Sequence, residues 1–404
     1  MKKKLAVIFG SRSVEHDVSI VTGVQLGENI DRETYDVLPV YIDRPGEWFT
    51  GEKLWNIEFL RNFDPNCKEI TRVMLPPDPK VHGLVTLPAG GGLLHRAKSE
   101  TIPIDVAIPA LHGLHGEDGT VQGLLELADI PYTSSGVLGS AVGMDKIVMK
   151  MAFLGAGIPV VKGEFFTRGE WKEDREGILN AMENAVGYPA FVKPANLGSS
   201  IGISRADSRD ELARGIDIAA GYDRRIIVER AVEDNIEINC SVLGYGAEVR
   251  ASVCERPVSW KKFLTYEEKY LEGGKMGKAS SGMASLSRIV PADIPDELTK
   301  EVQDLSVRIF KELDCKGVVR IDFLYDQKAH KLYANEINTI PGSFAFYLWE
   351  PMGVSFQELV DLMVDCAYRA AEEKRASNFA FASDILKKTG VGAKGAKGFR
   401  SAKR

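Results

Sequence analysis

The sequence predicts an α/β fold with an open parallel sheet in its N-terminal third and α+β architecture in the remainder. The chain opens with a continuous apolar run, Leu5–Phe9, then a short loop and a helical stretch, which is the usual start of an open α/β sheet. Beyond Pro159, strand-like runs alternate with polar and glycine-rich loops and with two amphipathic stretches, Asp296–Leu313 and Phe356–Lys374. These patterns together favour a multidomain enzyme.

Length and composition limit the class of protein. A chain of 404 residues exceeds one ordinary core, so we expect two or three domains. Its net charge of −6 argues against a nucleic-acid partner, and no apolar run in the sequence approaches the ~20 residues of a membrane span. The N-terminal apolar run is also too short for a secretory signal. The five cysteines are scattered and never in C-x-x-C spacing, so we expect reduced thiols in a cytoplasmic protein.

The first domain is expected at residues 1–135. After the first strand we predict a helix at Glu15–Ile30 and a second strand at Asp36–Ile42. Residues 43–104 contain paired prolines and a triple glycine, and we interpret them as an irregular insertion. A further buried strand, Asp105–Leu111, leads into a polar, glycine-rich loop and another helix. In such a sheet, ligands collect at the carboxyl ends of the strands.

A central domain is expected at 136–236 and a C-terminal domain at 237–376. Their predicted strands include Ala190–Lys193, Arg225–Val232 and Glu237–Leu243. The polar segment 265–290 is too long for a tight turn and is predicted to be a lid. The basic residues of 377–404 predict a disordered tail.

Chemistry is most concentrated in residues 317–342, where two strand-like runs flank a polar turn. Arg320 and Asp322 are two residues apart in the first run, and Glu336 and Asn338 are two apart in the second, so each pair lies on one face. If even-numbered residues pair with even-numbered ones, all four share that face. Three oxygen ligands and a guanidinium suit a hard divalent cation carrying phosphates. The alternative is a solvated edge hairpin, but charges inside an apolar run are costly unless they are used.

Other catalytic patterns are weak or missing in the sequence. It has no P-loop motif and no H-E-x-x-H or C-x-x-C zinc pattern. Residues 198–202 fit the G-x-S-x-G pattern of a serine hydrolase with Ser200 as nucleophile. That elbow needs a helix after the serine, whereas a strand-like stretch follows, and the only later histidine is His330 in the predicted turn. With Lys193 just before it, the loop is better suited to covering phosphates through backbone N–H groups.

Several charged residues are ambiguous one by one and indicate a functional site only when they are considered together. Lys146 and Lys193 stand at a helix start and a strand end, and each alone would be read as a surface lysine. Glu229 ends one strand-like run and Glu237 opens the next. Glu15 follows the first strand, where it suits either a bound ammonium or the dipole of the helix.

The motifs, in order, resemble those of the D-alanine–D-alanine ligase family of the ATP-grasp superfamily. The resemblance covers Leu5 to about Lys374, except for the insertion. It rests on SVEHDVS at 13–19, LHGLHGEDGTVQG at 111–123, MDK at 144–146, FVKPANLGSSIG at 191–202, VERAVEDNIEI at 228–238, YEEKYL at 266–271, GVVRIDF at 317–323 and NEINTIPG at 335–342. It implies a three-domain ATP-grasp fold with ATP between the central and C-terminal domains, and a homodimer.

The resemblance also implies the roles of individual residues. ATP would be bound by Lys146, Lys193, Glu229, Arg230, Val232, Glu237, Lys269 and Asn335. Two Mg²⁺ ions, or Mn²⁺, would be held by Asp322, Glu336 and Asn338. The D-alanine substrates would contact Glu15, Val18, His112, Ser343, Tyr347 and Leu348. The catalytic set would be Glu15, Ser199, Tyr270, Arg320 and Gly342, with Ser199 and Tyr270 joining Glu15 in a network that closes the lid.

The implied reaction makes D-alanyl-D-alanine for peptidoglycan precursors. A D-alanine carboxylate would attack the γ-phosphate of ATP, and the amine of a second D-alanine would attack the resulting acyl phosphate. Such chemistry needs charge neutralisation rather than a protein nucleophile. A nucleotide-binding protein without catalysis is an alternative of another class, which the intact hairpin residues argue against.

The chain departs from the family pattern after Gly342. Where the family has small hydroxyl residues, including a serine that grips the acceptor carboxylate, this chain reads SFAFYLW at 343–349. Counting from Gly342 places the gripping position on Tyr347, and Ser343 is the other candidate. The departure leaves D-serine or D-lactate open as acceptors, although Tyr270 implies an amine acceptor.

Overall fold

A computed structural model of the chain describes residues 2–87, 98–258 and 288–381. These residues form three sheets. Apolar residues of each sheet pack against helices in buried clusters. The helices are α1 (His16–Asn29), α2 (Ile57–Arg61), α3 (Thr120–Leu127), α4 (Val137–Met144), α5 (Lys146–Gly155), α6 (Arg168–Glu173), α7 (Arg175–Ala185), α8 (Arg209–Tyr222), α9 (Asp296–Glu312) and α10 (Phe356–Arg375).

The first sheet has seven strands in the order β6-β5-β4-β3-β2-β1-β7. They are β1 (Lys3–Gly10), β2 (Tyr35–Ile42), β3 (Trp48–Thr50), β4 (Thr71–Met74), β5 (Gly83–Thr86), β6 (Thr101–Pro103) and β7 (Val106–Pro109). Strand β1 lies parallel to β2 and β7, and α1 packs on it, as the sequence predicts.

The interpretation of residues 43–104 as irregular is wrong where this range forms strands β3 to β6 and helix α2. Strands β3 to β6 pair antiparallel, one after another, and extend the sheet beyond β2. Each has only three or four residues, so none shows enough alternation to reveal a strand. Residues 88–97 lie outside the described ranges.

The second sheet is antiparallel, in the order β10-β9-β11-β8. Its strands are β8 (Gly163–Thr167), β9 (Ala190–Pro194), β10 (Ser204–Ala206) and β11 (Arg225–Arg230). Helices α7 and α8 supply apolar residues such as Leu179 and Ile216 to a core with Val192 and Val228. Four residues, 231–234, connect this sheet to the third.

The third sheet is also antiparallel, in the order β14-β13-β12-β15-β16. Its strands are β12 (Asn235–Tyr245), β13 (Glu248–Pro257), β14 (Arg288–Ile289), β15 (Gly317–Asp326) and β16 (Lys331–Asn338). Residues such as Ile321 and Phe323 point from one face into a core with Ile309 and Phe310 of α9. Because strand side chains alternate, the intervening residues of β15 point to the other face, where the site is built.

Local signals explain the helix starts that matter for the site. Asp145 accepts hydrogen bonds from the backbone of Ile147 and Val148 and so caps α5 directly before Lys146. Ser355 caps α10 in the same way. The domain boundaries predicted at 135, 236 and 376 stay predictions.

The sequence also predicts reduced cysteines, no membrane span, a lid and a disordered tail. All five cysteines lie in the described ranges as free thiols. In that part of the chain, no helix has the length and apolar character needed to span a membrane. Residues 265–287 of the predicted lid (265–290) and residues 382–404 of the predicted tail (377–404) lie outside the described residues.

Candidate active site

The β15–β16 hairpin has the pairing on which the sequence prediction depended. Arg320 lies opposite Asn338, and Asp322 lies opposite Glu336. Even-numbered residues therefore pair with even-numbered ones, and all four side chains share one face, as predicted. The row continues across the sheet, because Asp322 faces Asn239 of β12.

A short salt bridge organises this face. The Arg320 guanidinium donates two hydrogen bonds of 2.7 Å to the two carboxylate oxygens of Asp322, and the Asn338 amide donates to Asp322 at 3.1 Å. Burial raises the pKa of Asp322, and nearby Glu336 adds to this effect while Arg320 opposes it. An arginine held by two such hydrogen bonds is fixed in orientation.

A β-bulge lets two consecutive residues of β16 serve the same site. The register shifts between Asp322 and Phe323, which face Glu336 and Ala334 respectively, so Asn335 is the extra residue. A bulge re-aims side chains that would otherwise alternate. As a result, Glu336 lies 3.7 Å from the Lys146 ammonium, and Asn335 accepts a hydrogen bond of 3.5 Å from Lys193.

The two predicted phosphate lysines meet the hairpin from the other side. Lys146 begins α5, and its ammonium donates to the Leu197 carbonyl at 2.7 Å. Lys193, on β9, forms an ion pair of 2.5 Å with Glu229 of β11. The expected set Lys146, Lys193, Asn335 and Glu336 is therefore brought together between the second and third sheets.

Sequence reasoning missed a third lysine in this cluster. Lys150, one helical turn after Lys146, forms a 2.7 Å ion pair with the other oxygen of Glu229, and both side chains are buried. Burial alone would raise the pKa of Glu229, but Lys150 and Lys193 outweigh it and lower the pKa to about 2. The i, i+4 spacing of Lys146 and Lys150 was a usable signal, since it places both on one helix face.

The segment expected to meet adenine, 229–232, spans the end of β11 and the start of the connection to the third sheet. The Glu229 side chain is buried, Arg230 is exposed, and Val232 is half-buried. Glu237, expected at the ribose, is exposed on β12 and contributes to the raised pKa of Lys193. Lys269 and Tyr270 lie outside the described residues.

Glu15 and Ser199 are in direct contact, as the family resemblance implies. The Ser199 hydroxyl donates a hydrogen bond to Glu15, whose side chain is buried at the start of α1. Gly198 allows this approach, because a β-carbon there would lie 2.7 Å from a Glu15 oxygen. Val18, also an expected substrate residue, is buried one turn further along α1.

The loop after β7 carries His112 and a residue that sequence reasoning did not select. His112 is buried, its Nε2 lies 2.8 Å from the Thr22 hydroxyl, and burial lowers its pKa to about 4. Glu117 accepts hydrogen bonds of 3.0 Å from the backbone N–H groups of Gly113 and Ile340. Its place in a G-E-D-G loop after a buried strand was the only sequence signal.

The two hydroxyls expected to bind the acceptor substrate both form hydrogen bonds within the protein. Ser343 donates to Gln25 of α1 at 2.6 Å, and Tyr347 donates to Glu255 of β13 at 3.0 Å. The Arg288 guanidinium lies over the Tyr347 ring at 4.0 Å. Leu348 is fully buried. Gly342 begins the short helical segment that holds these residues.

The serine-hydrolase alternative finds no support in the geometry. Strand β10, rather than a helix, follows Ser200, so the nucleophile elbow is not formed. His330 lies in the hairpin turn, where its Nδ1 is 3.1 Å from the Tyr325 hydroxyl. These residues therefore form no triad with Ser200.

The hairpin face has the donor chemistry of a hard divalent cation. Asp322 and Glu336 supply carboxylates from opposite positions and Asn338 supplies an amide, and such oxygen donors suit Mg²⁺ or Mn²⁺. Among residues 2–87, 98–258 and 288–381, no group of three or more His, Cys, Asp or Glu is arranged for a metal. Two carboxylates and an amide are consistent with an ion that completes its shell with phosphate oxygens and water.

Comparisons with known proteins agree with this geometry. A family model described as D-ala D-ala ligase N-terminus matches residues 4–135, and one described as D-ala D-ala ligase C-terminus matches residues 152–365. A D-alanine–D-alanine ligase from a Thermoanaerobacter species is 39% identical over 387 residues, covering 92% of this chain and 98% of the relative. One from Acetivibrio thermocellus is 38% identical, covering 91% and 96%.

Solved structures give the same result. The D-alanine–D-alanine ligase of Coxiella burnetii has a TM-score of 0.75 at 25% identity, with coverage of 93% of this chain and 96% of that one. The D-Ala:D-Ser ligase VanG of Enterococcus faecalis has a TM-score of 0.75 at 31% identity, with coverage of 91% and 100%. These matches confirm the predicted ATP-grasp fold. The chain belongs to the D-alanine–D-alanine ligase family.

Proposed function

We propose that this chain is an ATP-dependent, ADP-forming ligase that joins two D-alanines into D-alanyl-D-alanine for peptidoglycan precursors. One observation carries the proposal. The hairpin face with Asp322 and Glu336 meets the lysines of the second sheet, with 3.7 Å between Glu336 and Lys146. Alternating acidic and ammonium groups of this kind suit a triphosphate with its divalent cation.

On the ATP side, Lys146 and Lys193 neutralise phosphate charge. Both ammonium groups are already desolvated in this site, so their attraction for phosphate is stronger than it would be in water. Asp322, Glu336 and Asn338 would hold two Mg²⁺ ions, or Mn²⁺, which when bound screen the phosphates and orient the γ-phosphate. The backbone of 229–232 would meet the adenine, and Glu237 the ribose.

On the donor side, Glu15 binds the ammonium of the first D-alanine. Ser199 holds the Glu15 carboxylate by a hydrogen bond, which fixes where the ammonium sits. The substrate carboxylate then points toward the γ-phosphate and attacks it, which forms D-alanyl phosphate and releases ADP. Tyr270 and Lys269, from the segment proposed to be a lid, would complete this site and exclude water.

On the acceptor side, the amine of the second D-alanine attacks the acyl carbon, and phosphate leaves. Arg320 and the backbone N–H of Gly342 stabilise the negative charge that develops on the carbonyl oxygen. The bidentate hold of Asp322 on Arg320 keeps the guanidinium fixed while this happens. No protein nucleophile is needed.

The acceptor pocket is where this chain differs from its family pattern. Since the Tyr347 hydroxyl donates to Glu255, we propose that Tyr347 shapes the pocket with its ring, while its hydroxyl anchors that ring. Ser343 is anchored to Gln25 and contributes chiefly through its backbone. The curated relatives named above are D-alanine–D-alanine ligases, so D-alanine, rather than D-serine or D-lactate, is the proposed acceptor.

An acceptor panel tests the function. The protein is incubated with ATP, Mg²⁺ and D-alanine, alone or with D-serine or D-lactate, and the products are separated by mass. The proposal expects D-alanyl-D-alanine as the main product, with one ADP per dipeptide. A mixed product in excess over D-alanyl-D-alanine would contradict the acceptor, and ATP binding without D-alanine-dependent ADP release would contradict the activity.

We further propose a homodimer that works in the cytoplasm, where ATP and the cell-wall precursors are available. The support is the family alone. Sedimentation of the full chain would give its oligomeric state.

A further inference from the structure

Glu117 connects two loops that come from different sheets. One of its carboxylate oxygens accepts the N–H of Gly113, in the loop after β7, and the other accepts the N–H of Ile340, in the turn after β16. Both distances are 3.0 Å. The side chain is buried, so these hydrogen bonds are shielded from water and a lost partner would be costly.

Ile340 is held at both polar ends of its backbone. Its N–H donates to Glu117, and its carbonyl is hydrogen-bonded to His112. His112 in turn is hydrogen-bonded to Thr22 of α1. The turn after β16 is therefore fixed to the first sheet through side chains of one loop.

Each end of this connection adjoins a group with a proposed role. Gly342 is two residues after Ile340 and begins the short helical segment that follows the turn. At the other end is Gly113, whose N–H binds Glu117. A β-carbon on Gly113 would lie 2.5 Å from a Glu15 oxygen, so Glu15 packs directly against the Gly113 backbone. Glu117 thus joins the proposed ammonium site to the proposed oxyanion site.

We infer that Glu117 is a positioning residue that sets the distance between Glu15 and Gly342, and so the alignment of the donor D-alanine with the γ-phosphate. The inference rests on the proposed function. The substrate spans from its ammonium at Glu15 to its carboxylate near Gly342, and a misplacement of about 1 Å can reduce the rate by on the order of 100-fold.

The electrostatic surroundings of Glu117 give the inference a pH signature. Burial, together with Glu15 at the start of α1 and Glu336 on β16, raises the pKa of Glu117 to about 8, although the Gly113 and Ile340 N–H groups oppose this. The ionised carboxylate accepts both N–H groups equally well. A protonated one accepts less strongly at its hydroxyl oxygen, so the connection strengthens as the pH rises.

The test compares Glu117→Gln with Asp118→Asn in the full chain. Asp118 is the matched control, because it also accepts N–H groups of its own loop, from His115 and Thr120, but does not reach the turn after β16. The measurements are kcat, the KM for each D-alanine, the Kd for ATP, and the thermal midpoint, across the pH range around 8.

Glu117→Gln keeps the shape of the side chain but presents an NH₂ group to one of the two N–H donors. We expect kcat to fall by on the order of 100-fold, while the Kd for ATP stays unchanged. The ratio of wild-type kcat to variant kcat should increase as the pH rises, because burial keeps the pKa of the Glu117 carboxyl above its usual value. Asp118→Asn should behave like the wild type.

Several results would overturn the inference. They are a Glu117→Gln variant as active as Asp118→Asn, a ratio that does not change with pH, or a loss explained by a lower thermal midpoint with kcat retained at low temperature. Failure of the proposed function is distinguishable, because then the wild type and Asp118→Asn would also form no D-alanyl-D-alanine.

Discussion

Asp322 lies directly opposite Glu336 across the β15–β16 hairpin, and Arg320 grips Asp322 through two hydrogen bonds of 2.7 Å. Asp322 therefore has two neighbours with proposed roles. The Arg320 guanidinium is proposed to stabilise the oxyanion, and the Glu336 carboxylate is proposed to bind metal together with Asp322. Any change at Asp322 should affect both metal binding and catalysis.

Replacing Asp322 with Asn should lower kcat by on the order of 10³-fold or more, because a metal ligand and the orientation of Arg320 are lost together. The Mg²⁺ concentration needed for half-maximal activity should rise, while the circular dichroism spectrum stays that of the wild type. The control is Asp326→Asn at the turn end of β15 in the same hairpin, where Asp326 accepts backbone N–H groups of Lys328 and Ala329. Unchanged turnover in Asp322→Asn would remove the metal assignment.

Replacing Lys150 with Met should destabilise the fold and weaken ATP binding. Glu229 would keep only Lys193 as its cation, which costs roughly 2 kcal/mol of unfolding free energy, less than complete loss of a buried partner. Lys193 would then be held more tightly by Glu229 and be less available to phosphate. Urea unfolding and ATP titration calorimetry measure the two effects, with Lys172→Met on the exposed end of α6 as control. An unchanged Kd for ATP would refute the link between Glu229 and phosphate binding.

Replacing Tyr347 with Phe distinguishes two possible roles of this residue: shaping the acceptor pocket with its ring, or binding the acceptor carboxylate with its hydroxyl. The change removes the hydrogen bond to Glu255 but keeps the ring under Arg288. Because the Arg288 contact still holds the ring in place, the KM for the second D-alanine should rise only several-fold and that for the first should not change. A rise of about 100-fold or more, close to the 3 kcal/mol of a hydrogen bond to a charged group, would mean that the hydroxyl itself grips the acceptor carboxylate.

His112 should make the protein less stable in mild acid. Its pKa is lowered to about 4 in the fold because of burial, whereas an exposed histidine has a pKa of about 6.5. Between these values the unfolded chain binds the proton and the folded chain does not, so stability falls as the pH drops from about 6.5 toward 4. At pH 5 the loss amounts to about 2 kcal/mol.

Urea unfolding at pH 8 and pH 5 measures this effect. His112→Gln should lose less stability between the two pH values than the wild type by that amount. His330→Gln, in the exposed hairpin turn, is the control and should follow the wild type. If His112→Gln showed the same pH dependence as the wild type, another group would be responsible.

The hairpin shows how far the sequence leads. Strand alternation predicted that Arg320, Asp322, Glu336 and Asn338 share a face, provided that even-numbered residues of the two strands pair with each other. The observed register has that pairing. The bulge at Asn335 was not predictable, because no glycine marks it and a lone asparagine in a strand-like run does not distinguish a bulge from a regular strand. It brings Asn335 and Glu336, which alternation would separate, to the same group of lysines.

Other features depend on contacts between distant parts of the chain. The Glu229 carboxylate is shared by lysines from α5 and β9. The i, i+4 spacing places Lys150 on the helix face of Lys146, but no local sequence shows that Glu229 meets both lysines. The same is true of Glu117 and Ile340. Short strands such as β3 and β6 were missed for a different reason: three residues are too few to establish a period.

The most direct test of the account follows oxygen atoms from D-alanine to phosphate. The protein is supplied with ATP, Mg²⁺ and D-alanine labelled with ¹⁸O in its carboxylate, and the released phosphate is analysed by mass. If the carboxylate attacks the γ-phosphate and the amine of a second D-alanine then displaces phosphate, each phosphate released with D-alanyl-D-alanine carries one ¹⁸O. Dipeptide formed with unlabelled phosphate would contradict the D-alanyl phosphate mechanism, and absence of the dipeptide would contradict the function.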